Sequence, residues 1–212
     1  SSDLHREGDV MSGTDLGTRV PSIHPGYVSG KWYGPQIQTN ASSAQLPTGK
    51  IRFLPYLNPA PFTADQLGVS IATVAAGGNV RAALYGSTAR GTDQTPTGAP
   101  LVATGNMSTA ALYAITAAAL ASGAVPQGLI WMAVQCDATA GGTVILETVS
   151  GGYNLVGGLV GGATLAELKT ATGNRGFTYN FDQAFGTFPD MTGQTITKVA
   201  SNIGGLVNWR IA

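Results

Sequence analysis

The run from Leu67 to Gly86, Leu-Gly-Val-Ser-Ile-Ala-Thr-Val-Ala-Ala-Gly-Gly-Asn-Val-Arg-Ala-Ala-Leu-Tyr-Gly, restricts the fold more than any other stretch of this chain. Leu67, Val69 and Ile71 alternate with Gly68, Ser70 and Ala72. Beyond Gly77-Gly78-Asn79, Val80, Ala82 and Leu84 alternate with Arg81, Ala83 and Tyr85. Period-2 alternation gives each arm one apolar face, as in a half-buried β-strand. Two such arms around a Gly-Gly-Asn reversal predict an antiparallel hairpin. A lone hairpin cannot bury its apolar face, so other strands must cover it.

The rest of the composition fits a β-rich body with little surface charge. Of 212 residues only 10% are charged, 30 are glycine and 43% are hydrophobic. Typical domains carry about 25% charged residues and about 7% glycine. The chain is too apolar to be disordered throughout, and a surface this poor in charge suits protein contacts or neutral, hydroxyl-rich ligands. The formal net charge is zero, with no basic stripe to neutralise phosphates or anionic lipid, so nucleic acid and membrane insertion are not expected as partners. No apolar span of about 18 residues or signal peptide is seen. Beginning at Ser1 rather than methionine, the chain is expected to be processed or trimmed at its N-terminus. Cys136 is the single cysteine. It lies within the apolar run Leu129–Cys136, reads as a small buried hydrophobe and leaves the compartment open.

Taken in order, residues 1–25 form an extended N-terminal arm, expected to serve virion attachment or oligomer contact once the resemblance described below is considered. Asp3, Arg6, Glu7, Asp9, Asp15 and Arg19 crowd its first twenty positions without periodicity. Pro21 and Pro25 make its end stiff and extended. Residues 26–212 read as one head domain. Val28–Gln38 is a short strand kinked at Gly34-Pro35, and 40–49 a polar loop. Ile51–Leu57 is a strand whose Pro55 argues for a sheet edge or bulge. Residues 86–100 read as a long exposed loop and Leu101–Met107 as a strand. The alanines of 108–124 favour helix, but Leu112–Thr116 alternates, so a strand at 111–116 and an irregular connection are expected. Leu129–Cys136 has the length and nearly continuous apolarity of a central strand buried on both faces. Thr143–Val149, Phe177–Phe181, Thr195–Val199 and Leu206–Ile211 are further strands, and Thr164–Glu167 fits a capping box for a short helix at 165–171. About ten short strands between Gly and Pro turns predict an all-β antiparallel sandwich, jelly-roll-like in arrangement.

Little in this chain matches catalytic or ligand-binding motifs. The glycine clusters complete neither Gly-x-Gly-x-x-Gly nor a P-loop, and no Gly-x-Ser-x-Gly elbow or His-Glu-x-x-His occurs. His5 and His24 have no companion at metal-ligand spacing; no catalytic residue, metal or cofactor is expected. Asp65, Asp93, Asp137, Glu147, Glu167, Asp182 and Asp190 are enough carboxylates for a glycosidase pair, which needs two of them roughly 5–10 Å apart. Aromatic residues are the more informative set. Trp32-Tyr33, Tyr153, Phe177, Tyr179, Phe181, Phe185 and Phe188 recur where turns cluster. Such rings pack cores and interfaces, and they also stack on the apolar faces of sugars. Trp32, Tyr33 and Tyr179 are the candidates for the second role.

The run His24-Pro-Gly-Tyr-Val-Ser-Gly-Lys-Trp-Tyr-Gly-Pro, then Ile51-Arg-Phe-Leu-Pro-Tyr, then Phe62 through Tyr85, resembles a module of tailed-bacteriophage virion proteins, mostly tail fibres, spikes and head spikes. Leu101-Val-Ala-Thr-Gly and Pro126-Gln-Gly-Leu-Ile-Trp-Met-Ala-Val continue the pattern. The likeness covers residues 24–140, departs from the family in the alanine-rich 117–125, and rests on strand and turn residues, so it carries over no catalytic residue. It implies a β-sandwich head, homotrimeric, made in the bacterial cytoplasm and carried on the virion, at the tail or head surface. Its arm would bind other virion proteins, and its distal loops a bacterial surface polysaccharide. A capsid decoration or head-fibre protein without receptor binding, and a glycan depolymerase, are the alternatives.

Overall fold

The computed structural model describes residues 25–35, 41–89, 93–111, 113–115, 120, 123–137, 145–149, 177–200 and 206–212. The N-terminal arm up to residue 24 and the helix expected at 165–171 lie outside them. The described residues contain fourteen strands and no helix. One sheet holds β1 (Trp32–Tyr33), β2 (Ala41–Gln45), β4 (Phe62–Thr73), β8 (Tyr113–Ile115), β9 (Gly123–Val125), β11 (Ile145–Val149) and β14 (Val207–Ile211). The other holds β3 (Lys50–Asn58), β5 (Asn79–Ser87), β6 (Pro96–Ala103), β7 (Met107–Ser108), β10 (Gly128–Cys136), β12 (Phe177–Asp182) and β13 (Thr197–Ala200). The first runs β1-β14-β4-β11-β2 with β8 and β9 also on β4. The second runs β13-β12-β3-β10-β5-β6 with β7 also on β5. Every pairing is antiparallel. The protein is an antiparallel β-sandwich.

The two arms of the Leu67–Gly86 run are not a hairpin. β4 belongs to the first sheet and β5 to the second, and residues 74–78 carry the backbone from one sheet to the other. Gly77 takes φ +79° there, and the N–H of Gly78 donates to the carbonyl of Ala75 at 3.3 Å. The crossing is pinned by Thr109, whose N–H donates to Gly78 O at 3.0 Å and whose hydroxyl donates to Ala75 O at 2.8 Å. The reason lies in the alternation itself, which specifies a face and not a partner. Leu67, Val69 and Ile71 on one arm and Val80, Ala82 and Leu84 on the other are all buried in one cluster. Facing each other across the sandwich, the arms bury side chains that a side-by-side pair would leave bare. Each large apolar side chain so buried contributes about 1.5–3 kcal/mol.

Phe62 and Ala64 point inward at even positions, whereas Leu67, Val69 and Ile71 do so at odd ones. One extra residue must be absorbed between them, and the register against β14 shifts where Arg210 faces Gln66 but Ile211 faces Ala64. This bulge turns Asp65 and Gln66 together toward the outer face, as bulges do when they re-aim side chains.

β10 is a central strand, between β3 and β5. Ile130, Met132, Val134 and Cys136 meet the first sheet, while Trp131 and Ala133 face outward into a second buried cluster with Ile51, Phe53, Ala83, Tyr85, Phe188 and Met191. That outer layer is covered by residues 183–196. Tyr85 donates its hydroxyl to Pro189 O at 2.9 Å, Met191 N–H donates to Gly98 O at 2.9 Å, and the Gln135 amide donates to Gly186 O.

Three other expectations change. The polar loop at 40–49 contains β2, which pairs antiparallel with β11. The long loop at 86–100 ends sooner, because β6 starts at Pro96 and Thr88 N–H closes on Thr95 O at 2.9 Å. β3 is an interior strand despite Pro55; its registered pairing with β12 stops at Phe53, so a missing N–H two residues later breaks no bond to that neighbour.

At one pole β3 ends and β4 begins. The backbone reaches the body here through Tyr27, whose hydroxyl donates to Asn58 Oδ1 at 2.9 Å, and through Gly30, whose N–H donates to Ile211 O at 2.9 Å. Ala212 lies at the same pole, its N–H donating to Thr63 O at 2.9 Å. The far pole carries the turns at 46–49, 74–78 and 104–106.

Candidate functional site

β1 is short because Gly34-Pro35 follows it, and it is aimed by a tight turn before it. Lys31 N–H donates to Val28 O at 3.2 Å, with Gly30 at φ +75° supplying the left-handed position. Within β1 the two aromatic candidates part company, since neighbouring strand residues point to opposite faces. Tyr33 lies opposite Trp209 and turns inward. Its hydroxyl accepts the N–H of Val28 at 2.9 Å, and its ring meets Tyr27 edge-on with centroids 4.8 Å apart. Trp32 lies opposite Arg210 on the outer face and is 41% exposed.

Arg210 is held flat on that face. Its Nε donates to Asp65 Oδ1 at 2.9 Å and its Nη2 to Asp65 Oδ2 at 2.7 Å, a bidentate fork that gives the guanidinium one orientation. The fork keeps the Asp65 carboxyl below the usual carboxylate range against the opposing effect of partial burial, and it raises Arg210. Gln66 faces Arg210 from β4. Asn208, two residues away on β14 and so on the same face, has its carboxamide over Gly34, where a Cβ would collide with Oδ1. Trp32, Arg210, Asp65, Gln66 and Asn208 thus form a shallow surface of one indole, one neutralised ion pair and two amides.

Tyr179 is elsewhere. It sits on β12 opposite Phe53 and Lys198, half-buried on the outer face of the second sheet, edge-on to Trp131 with centroids 5.4 Å apart. The structure therefore groups Trp32 with Arg210 and puts Tyr179 on the opposite side of the sandwich. The Asp65–Arg210 pair spans 145 positions, and no spacing rule joins residues so far apart. The one available signal was the switch from even to odd apolar positions between Ala64 and Leu67, which marks the bulge.

Three other carboxylates among the described residues have partners in separate places. Asp182 pairs with Lys50, Asp137 accepts from Asn79 Nδ2 at 2.8 Å, and Asp190 accepts from Thr192 N–H at 2.8 Å. Glu167, His5 and His24 lie outside the described residues. Among the described residues no group of three or more His, Cys, Asp or Glu is placed to hold a metal ion, and no helix is long and apolar enough to cross a membrane. Cys136 is buried, its thiol directed at Leu46 O at 3.7 Å, and burial pushes it up to about 11.

Comparison with protein-family models, curated proteins and solved structures gives no match.

Proposed function

We propose that this chain is a structural virion protein of a tailed bacteriophage, a fibre or spike module that attaches the particle to the host surface. The observation that carries this reading is the arrangement of the chain ends. Tyr27 and Ala212 are both bonded to the body at the pole where β3 ends and β4 begins, so a hold on the module through either would act at that pole. The arm at 1–25 would supply the virion contact, and three copies would assemble into the head. The segments that resemble phage fibre and spike modules supply β1, β3, β4, β5, β6 and β10, the framework of both sheets. The low charge of the chain suits a neutral surface polysaccharide as the attachment partner.

Labelled antibody against the protein should decorate intact particles at the tail tip, and light scattering should give three times the 21.5 kDa chain. The free protein should compete with particles for adsorption to cells. Label confined to the head would favour a decoration or head-fibre protein. A strict monomer at micromolar concentration that blocks no adsorption would sink the attachment reading.

A further inference from the structure

We propose that the outer face of the first sheet around Trp32 is a binding site for a neutral, hydroxyl-rich glycan, with the indole as stacking platform and the Arg210–Asp65 pair as its polar floor. The inference rests on the attachment reading and goes beyond it by naming the surface and the ligand chemistry. Trp131 and Trp209 are fully buried, so Trp32 is the only one of the three tryptophans presented to solvent. Indole surface left bare on a flat sheet is costly in water and favours a partner with an apolar face of its own. A pyranose ring has such a face, with hydroxyls around its rim.

The polar groups beside Trp32 select among sugars. Arg210 lies directly across the ladder from Trp32, and the fork to Asp65 uses Nε and Nη2. Nη1 takes no part in that fork and is a donor; the lone pairs of the Asp65 oxygens left over are acceptors. Gln66 and Asn208 add an amide on each side, each both donor and acceptor. Small-ligand sites combine an apolar surface with a few fixed polar groups in this way. The net charge of the floor is zero, so it rewards hydroxyls. A uronic or sulfated sugar would have to displace Asp65 from Arg210 or accept repulsion from it. The site lies on the flank near the pole where the chain enters, not on the far turns.

The test uses the full-length protein in its native oligomer and the quenching of its tryptophan fluorescence by acrylamide. In the free protein one exposed tryptophan should be quenched, and Trp32→Phe should remove that quenchable component. Maltohexaose, mannohexaose and β-1,4-galactohexaose are the neutral probes and trigalacturonic acid the acidic one. At least one neutral probe at millimolar concentration should shield Trp32, with trigalacturonic acid at least tenfold weaker. By calorimetry, Trp32→Ala should abolish the binding, and Gln66→Ala, which leaves the ion pair intact, should weaken it about threefold or more. Shielding by the acidic probe alone, by no neutral probe, or undiminished binding by Trp32→Ala overturns the proposal. So does a Trp32 already shielded in the free oligomer, which would make this face a contact between copies. If the protein still blocks adsorption while any of these holds, the site is wrong and the attachment reading stands; if it blocks nothing, that reading falls.

Discussion

The hydroxyl of Tyr27 donates to Asn58 Oδ1 at 2.9 Å, and the Asn58 amide passes the connection on to Pro126 O at 2.7 Å. Two bonds thereby close one end of the sandwich, tying the incoming backbone to β3 and to the turn before β10. The Tyr27 ring completes the plug, lying edge-on to Tyr33 and to Phe62, which stacks on Trp209 with centroids 5.2 Å apart. Burial, ahead of neighbouring tyrosines, pushes the Tyr27 hydroxyl well above its ordinary range, so it stays a donor throughout the physiological range.

Removing only that hydroxyl leaves the buried Asn58 oxygen without this donor. Tyr27→Phe should cost about 1–2 kcal/mol. Tyr27→Ala also removes the ring and should cost about 3–5 kcal/mol. Urea denaturation of both variants checks the order. Equal losses would mean that the hydroxyl carries the whole effect and the ring adds nothing.

Gly34 tests the outer face directly. Its φ is not in the left-handed region, so the backbone tolerates alanine; only the Asn208 carboxamide above it does not. Gly34→Ala should therefore destabilise by about 1–3 kcal/mol through overpacking. Asn208→Ala should restore most of that loss in the double variant, the non-additivity expected of residues in contact. Additive losses would show that the collision is relieved some other way.

How far these relations could be read beforehand depends on what alternation encodes. Leu129–Cys136 was legible as a strand buried on both faces because seven of its eight residues are apolar, Gln135 being the exception. Leu67–Gly86 was legible as two strands with one apolar face each, but alternation is silent on whether such faces lie side by side or opposed, and here they are opposed. Ala41–Gln45 has no apolar face at all, so its place in the first sheet left no trace in hydrophobicity. Trp32 and Tyr33 looked like one aromatic unit only because they are adjacent; a strand sends them to opposite sides. Arg210 could not be matched with Asp65 without the register of β14 on β4.

Cys136 should be chemically silent in the folded protein. The thiolate is the reactive form, and burial first, then the nearby Asp137, holds the thiol up to about 11. A disulfide reagent at pH 8 should label it only after denaturant is added, with one thiol released per chain. Rapid labelling of the native protein would show that the Leu46–Pro47 side of the site opens readily.

Acid should act on the outer face through Asp65. Its folded pKa is depressed, chiefly by the hydrogen-bonded Arg210, so protons bind more readily to the unfolded chain. The stability from this group is fully present above the unfolded aspartate value of about 3.9 and is lost as pH falls through the lower folded value. Asp65→Asn should therefore be less stable than the parent at pH 6, with the gap narrowing steadily below about pH 4 as the parent carboxylate protonates. Asp190 is also depressed, by the N–H of Thr192, and Asp190→Asn should show its own narrowing independently of Asp65. Denaturation midpoints from pH 6 to pH 2.5 measure both. A gap between parent and Asp65→Asn that stays constant to pH 2.5 would refute the depression.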